Sequence, residues 1–95
     1  MLESKFKTRL RNRIEKEFPG AIVMHTNPVE RRGAPDLVVL YKDKWVALEG
    51  KQESKSSHRP LQDYRVEEWN KLSFARFVEP SNEQDVIDDM HAYLG

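Results

Sequence analysis

Two β-rich runs separated by only two residues constrain this chain more than anything else in it. Leu37-Val38-Val39-Leu40-Tyr41 stops at Lys42-Asp43, and Lys44-Trp45-Val46-Ala47-Leu48-Glu49-Gly50-Lys51 follows at once. A connection that short suits an antiparallel hairpin, because parallel strands need a long crossover. With the turn centred between Lys42 and Asp43, Tyr41 faces Lys44, and the ladder carried to its far end sets Asp36 opposite Glu49. Directly paired side chains stand about 4.5–5.5 Å apart at Cβ. Alternation puts Trp45, Ala47, Glu49 and Lys51 on one face and Val46, Leu48 and Gly50 on the other, where a helix would cover them. Gly50 brings no side chain to that covered face, which predicts a void beside it and a loss of stability.

The rest of the chain supplies what a hairpin needs in order to be buried. Leu2, Phe6, Leu10, Ile14 and Phe18 recur every fourth residue, the stripe of a helix of about four turns, and Phe18-Pro19-Gly20 ends it. Ala21–Met24 reads as a short strand. Residues 27–34 form a basic loop holding Pro28, Arg31, Arg32 and Gly33. Residues 53–59 are polar and Ser-rich. Pro60 opens a second helix with Leu61, Val66, Trp69 and Leu72 facing inward, and Phe74–Val78 reads as a last strand. Ser81-Asn82-Glu83-Gln84 has the form of a capping box, opening a final helix through Val86, Ile87, Met90 and Leu94. The order α-β-β-β-α-β-α predicts an α/β fold in one domain, residues 1–95.

Composition bounds the core and the partners. Ninety-five residues of which 38% are hydrophobic can bury only a thin core, so either the fold is economical or a partner subunit covers part of it. Without cysteine, disulfides and thiolate metal sites are excluded. No apolar run approaches the roughly 18 residues that span a bilayer, so a soluble, cytoplasmic protein without a membrane partner is expected. The net charge of zero hides an asymmetry. Residues 1–32 carry eight lysines and arginines against four acids, and residues 76–95 one arginine against five acids. The basic half would attract a polyanion; a plain solvated surface of both signs is the competing reading.

Facing carboxylates repel, and a chain with no use for them would avoid the pair. A divalent cation turns that repulsion into binding, and all-oxygen donors suit Mg²⁺ or Mn²⁺. Lys51, on the same face as Glu49, could neutralise charge on a phosphate and orient or deprotonate a water. Two carboxylates, a metal, a lysine and a basic rim make an apparatus for phosphodiester hydrolysis. A lone Glu-x-Lys also fits an exposed strand with a salt bridge. Competing chemistries lack support: no histidine pair has zinc-site spacing, no Ser/His/Asp set suggests an acyl enzyme, and isolated glycines build no phosphate cradle.

Gly33-Ala34-Pro35-Asp36-Leu37, then Ala47-Leu48-Glu49-Gly50-Lys51, then Gln62, resembles the PD-(D/E)xK nuclease superfamily, and within it the minimal VRR-NUC-type endonucleases of bacteriophages. The likeness runs from Glu3-Ser4-Lys5-Phe6 through Phe18-Pro19-Gly20 and Gln62-Asp63-Tyr64 to Leu72-Ser73-Phe74-Ala75, nearly the whole chain. It implies a restriction-endonuclease-like αβββαβ core, a central mixed sheet flanked by helices, with a C-terminal helix added. It implies that Asp36, Glu49 and the backbone carbonyl of Gly50 ligate Mg²⁺ or Mn²⁺, that Lys51 is catalytic, and that Gln62 buttresses the site from the second helix. Gly50 departs from the pattern, since relatives carry an aliphatic residue there.

Glu3 matches a first-helix glutamate that the superfamily often places near the metal; a frayed terminus with favourable charge at a helix start remains the alternative. Arg31 and Arg32, ahead of Asp36, are candidates for holding DNA phosphates, as are His58 and Arg59 in the loop bordering the site. His25 reads as a polar strand-end residue, with an approach to the site from the first strand as the alternative, and His91 reads as a surface residue. The expected activity is metal-dependent DNA endonuclease in a homodimer, with branched DNA such as Holliday junctions the target that the resemblance adds. A catalytically silent nucleic-acid-binding or assembly module on the same fold is the alternative.

Overall fold

The hairpin forms in the expected register. The computed structural model describes residues 3–27, 29–52 and 59–95. In chain order the elements are α1 (Glu3–Glu17), β1 (Ile22–His25), β2 (Leu37–Tyr41), β3 (Lys44–Gly50), α2 (Pro60–Leu72), β4 (Ala75–Val78) and α3 (Glu83–Leu94). Tyr41 pairs with Lys44 and Leu37 with Leu48, and Lys42 takes the left-handed backbone, φ 56°, that reverses the chain. β1 adds antiparallel to β2, and β4 adds parallel to β3 after the α2 crossover, giving the order β1-β2-β3-β4. β3 is therefore antiparallel on one side and parallel on the other. Its odd-numbered N–H groups serve β4, as Ala47 N–H to Phe74 O and Lys51 N–H to Val78 O show, both 2.8 Å.

Side-chain alternation on this mixed sheet makes two unequal cores. On one face Val39, Val46 and Leu48 meet Phe6, Leu10, Ile14 and Phe18 of α1 and Ile87, Met90 and Leu94 of α3. On the other, Ala47 and Ala75 meet Val66 of α2, with Trp45 and Trp69 edge to face at 6.1 Å. Small residues at positions 47 and 75 let α2 approach closely. The inward face expected for α2 is narrower than its spacing suggested: Leu61 is 39% and Leu72 72% exposed. The helix lies mainly over β3 and β4. The apolar side chains of Ile22 and Met24, on the edge strand β1, are about half exposed beside Leu40.

The capping box read at Ser81 does not form. Asn82 is the N-cap of α3 and gives it no side-chain hydrogen bond; its Oδ1 accepts from Glu79 N at 2.8 Å and its Nδ2 donates to Phe77 O at 3.1 Å. The amide is spent on the end of β4, so it fixes the β4–α3 corner instead of the helix terminus.

The charge asymmetry is largely settled inside the molecule. Glu83, only 4% exposed, accepts from Arg9 Nη2 at 2.7 Å and from Arg13 Nη1 at 2.6 Å. Arg13 also donates to Glu17 at 2.7 Å and to Gln84 at 2.5 Å. His91, expected at the surface without a role, lies 2.8 Å from Glu17 Oε1 and stacks on Phe18 at 4.4 Å. The bonds from Glu83 and Glu17 raise the pKa of Arg13 above its ordinary value, while those from His91 and Arg13 lower that of Glu17. These arginines of α1 hold α3, so they are not a free basic face. No helix among the described residues is long and apolar enough to cross a membrane.

Candidate functional site

At the end of β3, where α1, the 31–36 loop and α2 converge, the sheet opens into a cleft of about 320 Å³. Asp36 and Glu49 are on its wall, as are Arg32, Arg59 and Gln62. Asp36 is one residue before β2, and its Oδ1 accepts from Gly50 N at 3.2 Å. Its other oxygen, Oδ2, is buried and forms an ion pair with the ammonium of Lys7, reaching in from α1. Glu49 is 3% exposed, although it borders the cleft. Lys51 does not form the wall. It is 7% exposed, and its Nζ donates to Gln62 Oε1 at 2.9 Å. Gln62 also lies 3.4 Å from Arg59 N, so one amide oxygen ties the lysine after β3 to the start of α2.

Local sequence explains this convergence. Carried two steps beyond the Leu37–Leu48 pair, the ladder sets Pro35 against Gly50, and proline has no N–H to give a carbonyl. The ladder itself stops at Leu37–Leu48, and the N–H of Gly50 turns to Asp36 Oδ1 instead. Gly33 takes φ +77°, and a Cβ there would lie 2.6 Å from Leu61 Cγ. Only glycine lets the loop close on α2, which brings Arg32 and Arg59 to one cleft. Thr26 Oγ1 bonds Pro35 O at 2.7 Å and Thr26 N bonds Asp36 O at 3.0 Å, fastening the same segment to the end of β1.

Solved structures carry the same architecture. A VRR_NUC domain aligns with a TM-score of 0.73 and 21% identity, over 90% of this chain and 94% of its own. A VRR_NUC domain protein aligns at 0.70 and 19%, over 100% of this chain and 91% of its own. The chain has a VRR-NUC-type fold. No family model and no curated protein matches it.

On this VRR-NUC-type fold the expected site residues separate into groups. Asp36, Glu49, Gln62, Arg32 and Arg59 share the cleft, and Lys51 joins through Gln62. Arg31 does not: it turns away and lines the groove of Trp69 and Leu72 on the far side of the loop. Neighbours in an irregular loop need not share a face. The side chain of Glu3 and the whole of His58 lie outside the described residues.

The donors present suit a divalent metal. Two carboxylates line one cleft, one with a buried oxygen held, among the described residues, only by the Lys7 ammonium, and Mg²⁺ commonly takes one or two carboxylates and keeps its waters. Among the described residues no group of three or more acidic, histidine or cysteine side chains converges there.

The void expected at Gly50 is absent. A Cβ at this position would meet Lys7 Cγ at 3.0 Å and Cε at 3.4 Å, so the stem of Lys7 fills the space that an aliphatic side chain would occupy. Lys7 and Thr26 are the cleft residues that sequence reasoning missed. Lys7 lies one position after Phe6 of the apolar stripe, and that offset, opposite a glycine, was the signal available.

Proposed function

We propose that the chain is a Mg²⁺- or Mn²⁺-dependent endonuclease that hydrolyses the phosphodiester backbone of DNA. The observation that carries this reading is the meeting of Asp36 and Glu49 at one cleft whose rim holds Arg32 and Arg59. Asp36, Glu49 and the carbonyl of Gly50 would hold the cation. The metal supplies Lewis-acid polarisation of a phosphoryl oxygen and activation of a water. Lys51, oriented by Gln62, meets negative charge growing on the phosphate and orders the attacking water. Gln62 is a positioning residue: it keeps a buried ammonium aimed. Arg32 and Arg59 bind flanking phosphates, which adds affinity without reading sequence.

The decisive experiment is Mn²⁺-dependent nicking of supercoiled plasmid by the wild type and by Asp36→Ala, Glu49→Ala and Lys51→Ala. Cutting that disappears in all three folded variants supports the reading; cutting that survives in Asp36→Ala or Glu49→Ala overturns the metal site. Binding without cutting by the wild type would favour a silent binding module. Branched DNA, four-way junctions included, is the substrate we favour, and a panel of junctions, flaps, duplexes and single strands tests it.

We also propose a homodimer, joined through β1. This strand is an edge of the sheet with no lysine or proline to blunt it, and it presents Ile22 and Met24 beside Leu40. A second copy related by a two-fold axis would pair the edge and cover these side chains. Light scattering should find a dimer, and Met24→Lys should yield a monomer.

A further inference from the structure

We propose that Lys7 competes with the divalent cation for Asp36, and so sets the metal concentration at which the site fills. The inference rests on the metal-site reading above and concerns a residue outside the donor set. Two independent observations support it. The ammonium of Lys7 is paired with Asp36 Oδ2, a buried oxygen with no other partner among the described residues. Both side chains are more than three-quarters buried, 23% and 22% exposed, unlike the splayed pairs of an open helix surface. The stem of Lys7 reaches that oxygen only by passing over Gly50, where a Cβ would lie 3.0 Å from its Cγ. A side chain at position 50 would press on the stem and force it to shift, so the glycine and the ion pair are two parts of one arrangement.

The electrostatic consequence follows from counting charges. Asp36 and Glu49 bring two negative charges, Lys51 and Lys7 two positive ones, and Arg32 and Arg59 add to the rim, so a dication enters a site with no net negative charge. Removing the charge of Lys7, the one paired with Asp36, takes a positive charge from beside the cation, and the same cation would bind more tightly. A like charge a few ångströms away at a partly screened site changes affinity by about tenfold or more. The ammonium must then leave Asp36 as the metal arrives, and the flexible stem allows it to swing within the cleft that it already lines.

The test is a Mn²⁺ titration followed by calorimetry, and by the loss of the free-ion spin-resonance signal, with no DNA present. The proteins are the wild type, Lys7→Met, Lys7→Arg and Asp36→Asn. Lys7→Met keeps the apolar stem over Gly50 and removes the charge, so it should bind Mn²⁺ about tenfold more tightly. Lys7→Arg should stay near the wild type, which a purely steric role would not require. Asp36→Asn should bind weakly. Unchanged or weaker binding by Lys7→Met overturns the competition while leaving the metal site standing. Absence of Mn²⁺ binding by the wild type and Lys7→Met alike overturns the metal reading itself, and this inference with it.

Discussion

Replacing Gly50 by valine separates two readings of the same residue. From sequence alone valine should stabilise, because it fills a void and removes the entropy that glycine loses in a strand, about 0.5–1 kcal/mol. The structure reverses the sign. The Cβ would already lie 3.0 Å from Lys7 Cγ, and the two γ-carbons of valine would reach further into the stem. Overpacking of this kind costs about 1–3 kcal/mol, and driving Lys7 off Asp36 forfeits a partly buried ion pair worth on the order of 1 kcal/mol. Set against the entropic gain, the net loss is about 1–3 kcal/mol, or a melting temperature lower by roughly 5–20 °C for a domain of this size. The background decides the cause. In a Lys7→Ala protein the stem is gone, so valine should be neutral or stabilising by up to about 1 kcal/mol. Thermal and urea unfolding of the four proteins in this cycle measure the coupling. A higher melting temperature for Gly50→Val with Lys7 in place, or an equal cost in both backgrounds, refutes the reasoning.

Glu83→Ala should cost about 2–4 kcal/mol in urea unfolding, since it removes two charge-assisted hydrogen bonds from a buried carboxylate; Arg9→Ala, whose side chain is 48% exposed, should cost less. In DNA binding measured without divalent metal, Arg32→Ala and Arg59→Ala should each lower the salt slope by about 0.9, whereas Arg31→Ala should leave it unchanged. Because the folded pKa of Glu17 is lowered by His91 and then Arg13, its contribution to stability is complete above the ordinary glutamate value of 4.5 and is lost as pH falls through the folded value. Wild type should therefore lose stability relative to Glu17→Gln on acidification below 4.5, and parallel unfolding curves over that range would count against the Glu17 contacts.

What was legible in the sequence was whatever periodicity or a short connection dictates. Two residues between strands fixed the pairing of Leu37 with Leu48, and with it the meeting of Asp36 and Glu49. Every helix and strand followed from stripes, alternation and breakers. The misses share one physical origin, the docking of elements far apart in the chain. Leu61 and Leu72 carry the right spacing, but how much of α2 the sheet covers depends on sheet width. Glu83 looked like the middle of a capping box because nothing local says that Arg9 and Arg13 stand opposite. Lys7 looked like one more basic residue because its partner arrives about thirty positions later.

The bridge from Arg9 and Arg13 to Glu83 also bears on when the cleft can exist during synthesis. The hairpin bearing Asp36 and Glu49 precedes α3 in the chain, yet the face beneath it is closed by α1 and α3 together. Val86, Ile87, Met90 and Leu94 leave the ribosome after that hairpin, and closing loops of 70 and 74 residues between the two helices comes later still. Until then the apolar stripe of α1 has half a partner. A nascent chain can hold both carboxylates and still lack the rigid floor that aligns them, so acquisition of the site should coincide with the emergence of α3 and not with synthesis of the residues that form it.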